Sequence, residues 1–76
     1  MKESKRIDEQ ISARCRGKLT EKRIRMNKIA EVLDISDNTI YKKMSGESAF
    51  TVGEIYLIAI ACNLTRDEVY FIIFGQ

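Results

Sequence analysis

The stretch Ile24–Gly46, IRMNKIAEVLDISDNTIYKKMSG, constrains this chain more than any other segment. Ile29, Ala30 and Leu33 recur at helical spacing, and Val32 lies near the edge of the same face. Asp34-Ile35-Ser36 then interrupts the pattern, and Ile40 and Met44 resume it. The spacing predicts two short helices, about Met26–Leu33 and about Asp37–Met44, joined by a tight turn. Ser36 suits the cap of the second helix, because its hydroxyl can accept backbone N–H bonds. Asp37 has a favourable sign against that helix's dipole. Gly46 suits a left-handed terminus, and Ile35 reads as a plug into the core.

With Ile40 and Met44 turned inward, Asp37, Asn38, Tyr41 and Lys42 are left for the outer face of the second helix. Two helices so joined can set one in the major groove of DNA while the other crosses the backbone. Asn38 can pair with adenine N6 and N7, and Lys42 can donate to guanine O6 or N7. Tyr41 can pack on a thymine methyl or donate to a phosphate. Asp37 can accept from cytosine N4, or it serves only the helix start. Arg25, Lys28, Lys42 and Lys43, then Arg23, are the candidate phosphate contacts, with Asn27 and Ser45 as neutral ones.

The rest of the chain reads as helical packing around this pair. Ile7, Ile11, Cys15 and Leu19 recur every four positions and predict a helix from about Ile7 to Lys22, with Gly17 as a weak point. Residues 1–6 are expected as a frayed, flexible basic tail, with the domain itself spanning 7–76. Thr51-Val52-Gly53-Glu54 is a capping-box sequence preceded by Phe50. It opens a helix to about Cys62, with Ile55, Ile58, Ala59 and Cys62 inward and Asn63 as terminator. Thr65-Arg66-Asp67-Glu68 is a second capping-box sequence. It opens a last helix holding Val69, Tyr70, Phe71, Ile72, Ile73 and Phe74, too many large side chains for one small core. Tyr70, Phe71, Ile73 and Phe74 are the candidates for a dimer interface. The competing reading of these four is ordinary packing against the first helix. The fold class is all-α.

Seventy-six residues allow one domain, with 45% apolar and 32% charged residues. The net charge of +2 hides an asymmetry. Residues 1–28 hold ten Lys/Arg and four Asp/Glu, a net of +6, whereas residues 29–76 hold three and seven, a net of −4. A one-sided positive surface suits a polyanion; a solubilising tail is the competing reading. No histidine occurs, no CxxC pair, and no glycine-rich phosphate loop. The expectation is therefore no enzyme, no metal and no cofactor. Cys15 and Cys62 fall in helical patterns and are expected as reduced core residues. The opening MKESKRIDEQ has no apolar h-region, so a cytoplasmic protein is expected.

The ordered set Ala30, Ile35, Ser36, Thr39, Ile40, Gly46, Phe50, Glu54, Ile55, Ala59 and Leu64 resembles the lambda-repressor-like helix-turn-helix family, of the short phage Cro and repressor type. The resemblance covers about Cys15–Phe74. It implies a compact five-helix domain whose second and third helices bind double-stranded DNA. It also implies a dimer on a pseudo-palindromic operator and a transcriptional regulator of Cro-like repressor type. The family's base-reading places fall on Asp37, Asn38, Tyr41 and Lys42. Met26 stands where the family often has a phosphate-holding Gln, and Asp34 stands where it usually has glycine. Lys2, Lys5, Arg6, Arg14 and Arg16 form a cationic lead-in, either an arm for DNA or an extended first helix. The alternative is a protein-interaction module of the same fold, acting as an antirepressor, polymerase modulator or antitoxin-like partner. RNA polymerase or a phage regulatory protein is then a further possible partner.

Overall fold

A computed structural model describes residues 2–76. Five helices follow one another: α1 (Lys2–Glu21), α2 (Met26–Leu33), α3 (Asp37–Ser45), α4 (Val52–Ala61) and α5 (Arg66–Phe74). Among the described residues there is no strand. Helix α1 packs against α3 and α5, and α2 packs against α3 and α4. Cys15 and Leu19 of α1, Ile29 and Ala30 of α2, Ile40 and Met44 of α3, Ile58 of α4 and Ile72 of α5 form one buried cluster. Among the described residues no helix is long and apolar enough to cross a membrane.

Helix α1 corrects the expected start. Residues 2–6 continue the helix instead of forming a tail, and Met1 lies outside the described residues. Nothing in KESKR breaks a helix, and Lys, Glu and Arg are good helix formers. Apolar periodicity reports only the part of a helix that is packed, so an exposed extension leaves no such signal. Gly17 faces open space and does not interrupt α1.

Three of the connections are built alike. Arg23, Asp34 and Asn63 each adopt left-handed backbone, with φ of 61°, 56° and 56°. After each, the next N–H reaches back to close the helix: Ile24 to the Leu19 carbonyl, Ile35 to Ala30, and Leu64 to Ala59, at 2.9–3.0 Å. These are Schellman endings, in which an apolar residue follows the left-handed one. Ile24, Ile35 and Leu64 all pack against the core cluster. Each turn thus both stops a helix and drives a plug inward. Asp34 takes the role expected of glycine, and Arg23 takes it without any prior sequence signal.

The starts follow the sequence closely. The Ser36 hydroxyl accepts from Thr39 N–H at 3.1 Å. Both capping boxes form, with Thr51 and Glu54 on α4 and Thr65 and Glu68 on α5.

Candidate nucleic-acid interface

Helix α3 buries Ile40 and Met44 and leaves Asp37, Asn38, Tyr41, Lys42 and Ser45 exposed. At 100° per residue these five fall within an arc of about 140°. Tyr41 is 62% exposed, so its ring is not part of the core. The structure therefore brings the four expected base-reading positions onto one open face. Ser45 is partly occupied: its hydroxyl donates to the Lys42 carbonyl at 3.0 Å and accepts from Glu47 N–H at 3.4 Å.

The cations divide into engaged and unengaged groups. Lys43, one of the candidate phosphate contacts, is engaged within the protein. Its ammonium lies 3.0 Å from Glu54 Oε1, donates to the Ala49 carbonyl at 3.0 Å, and sits above the Phe50 ring. It fastens the end of α3 to the start of α4. Arg14 and Arg16 are engaged as well. Arg14 donates from Nε to the Ile72 carbonyl at 2.9 Å and from Nη2 to Ile73 at 3.0 Å, closing the C-terminal turn of α5. Arg16 donates from Nη1 to the Met44 carbonyl at 3.2 Å, closing that of α3. These two arginines belong to the packing and not to an arm. Lys22 pairs with Glu68 at 3.0 Å.

Arg23, Arg25, Lys28 and Lys42 are exposed, and among the described residues none makes an ion pair or a side-chain hydrogen bond. Asn27 is exposed beside them. Arg23, Arg25, Asn27 and Lys28 line a cavity of about 480 Å³ between the start of α2 and the end of α4. Cys62 also lines it and is half-buried, whereas Cys15 is fully buried. Burial, with Cys62 close by, pushes the Cys15 thiol up to about 12. Burial also raises Cys62, against the pull of Lys28 and Lys22.

Of the four expected interface residues, Tyr70, Phe71 and Phe74 are exposed and Ile73 is half-buried. Tyr70 and Phe74 pack with ring centroids 4.7 Å apart and planes tilted by 40°, and both are exposed. Ile73 instead turns into a groove between α4 and α5 with Val69, Ile55 and Ala59. Phe71 has the Lys18 ammonium 5.4 Å from its ring centre. Sequence reasoning missed the α4 contribution. Val52, Tyr56 and Ile60 are 82%, 64% and 66% exposed. Their spacing of four gives a second apolar stripe, visible in the sequence once Ile55 and Ile58 are set aside as the inward face.

Two short helices joined by a Schellman turn, with an open polar face and, among the described residues, unpaired cations beside it in the sequence, characterise this small all-helical domain. The family model of the BetR domain matches residues 5–71, and the chain belongs to that family. No curated protein and no solved structure matches the chain.

Proposed function

We propose that this protein is a sequence-specific binder of double-stranded DNA, acting in the cytoplasm as a Cro-like transcriptional repressor. In this reading α2, the Asp34–Ser36 turn and α3 form a helix-turn-helix within a lambda-repressor-like domain. Helix α3 enters the major groove, and α2 lies across the backbone. Asn38 and Lys42 read base edges, Tyr41 packs beside them, and Asp37 either accepts from cytosine or serves only the start of α3. Arg23, Arg25, Asn27 and Lys28 hold phosphates. The observation that carries the reading is the single open face of α3, together with exposed cations on α3, on α2 and just before α2 that, among the described residues, pair with no carboxylate. No step in this reading requires catalysis.

Two copies would bind a near-palindrome with half-sites one helical turn apart. The apolar surface of α4 and α5, from Val52, Tyr56 and Ile60 to Tyr70 and Phe74, supports self-association. The same apolar surface, with Asp37 on the polar face, favours the second reading of a protein-binding module of the same fold. Fluorescence anisotropy with duplex DNA separates the two. A DNA regulator loses affinity steeply as salt rises, and Arg25→Ala lowers that slope by about one. Asn38→Ala and Lys42→Ala relax base preference by about 1–3 kcal/mol at single positions. A protein-binding module prefers no duplex, and neither substitution changes that.

A further inference from the structure

The cavity between the start of α2 and the end of α4 differs in kind from the rest of the basic surface. Arg23, Arg25 and Lys28 line it together with the apolar side chains of Ile24, Ala61 and Cys62. Among the described residues no carboxylate lines it, and none of the three cations is paired. Asn27 and Asn63 add amides at its edge, each able to donate and accept. At about 480 Å³ it lies within the size range of small-molecule sites. The groove between α4 and α5 has a similar volume of about 470 Å³, but it is apolar apart from Arg66.

We propose that the cavity between α2 and α4 binds a small phosphorylated molecule with a flat apolar body, of mononucleotide size. The phosphate sits among Arg23, Arg25 and Lys28, where charge-assisted bonds are strongest. The body covers Ile24, Ala61 and Cys62, and the two asparagines meet its polar edge. A backbone phosphate of DNA would use the same cations yet leave the apolar lining uncovered. The site thus goes beyond the DNA reading while sharing four residues with it, Arg23, Arg25, Asn27 and Lys28. A bound ligand would compete with a backbone phosphate for those cations, giving a regulator of this size a means of small-molecule control.

The test uses the whole chain without DNA, so its outcome is independent of any DNA activity. Adenosine monophosphate, adenosine and inorganic phosphate are titrated separately while backbone amide resonances are followed. The nucleotide is expected to shift amides at 23–28 and 61–63 and to slow alkylation of Cys62 by iodoacetamide. Adenosine and phosphate alone are expected to bind about tenfold more weakly or worse. Arg25→Gln and Lys28→Gln, each checked for an intact spectrum, are expected to weaken nucleotide binding about tenfold. The proposal is overturned if the nucleotide leaves these amides and Cys62 untouched. It is equally overturned if inorganic phosphate matches the nucleotide, or if shifts of the same size spread along Lys2, Lys5 and Arg6.

Discussion

Gly46 lies directly against Glu9, so that a Cβ added there would stand 2.9 Å from Glu9 Cγ and 3.2 Å from Glu9 Cα. Its φ of +88° independently disfavours any side chain. This contact sets how closely α1 approaches the end of α3. Gly46→Ala is expected to cost about 1–3 kcal/mol in urea unfolding, through backbone strain and displacement of α1. A change within measurement error would show that the two helices are not held at this point.

Arg14 serves α5 in the way that Arg16 serves α3. Arg14→Ala removes two charge-assisted bonds to the Ile72 and Ile73 carbonyls and is expected to destabilise the domain by about 1–2 kcal/mol. Arg14→Lys should recover little, because an ammonium lacks the planar fork that reaches both carbonyls. Equal stability of the lysine variant and the parent protein would contradict this role.

The left-handed residues make a graded prediction. Asp tolerates such backbone better than Arg. Asp34→Gly is expected to stabilise by about 0.5–1 kcal/mol, and Arg23→Gly by more. Thermal unfolding of the two variants gives the order directly. The reverse order would mean that the turns are not limited by backbone strain.

These features show what the chain reveals before folding. The bounds of α2, α3, α4 and α5 follow within a residue or so, because caps and short apolar repeats are local. Both capping boxes were legible for the same reason. The roles of Arg14, Arg16 and Lys43 were not. A lysine or arginine reads as a surface charge until a distant carbonyl or carboxylate is brought to it, and Ile72 lies 58 positions from Arg14. The open face of α3 was legible by subtraction, since Ile40 and Met44 had to be buried. The apolar stripe of α4 was hidden by its neighbours, because almost every residue of that helix is apolar and periodicity has little contrast there.

Acid should weaken the domain through its capping carboxylates. Burial raises the Glu54 carboxyl, but bonds from Thr51 and Lys43 outweigh it and hold the group below its ordinary value of 4.5. The Thr65 backbone N–H and then Lys22 lower Glu68 in the same sense. A carboxyl lowered in the folded state contributes stability above its unfolded value and loses it as pH falls through the folded one. Unfolding free energy is therefore expected to be flat above the ordinary glutamate range and to fall below it. Glu54→Gln should flatten part of that fall, and an unchanged profile would remove Glu54 from the account.

The most direct test of DNA reading by α3 is selection of duplexes from a random pool by the wild-type protein, followed by sequencing. The account predicts a near-palindromic motif with half-sites about 34–36 Å apart along the duplex, and a preference for it that survives excess random DNA. Recovery of no motif, or retention of DNA that random duplex removes completely, would contradict it.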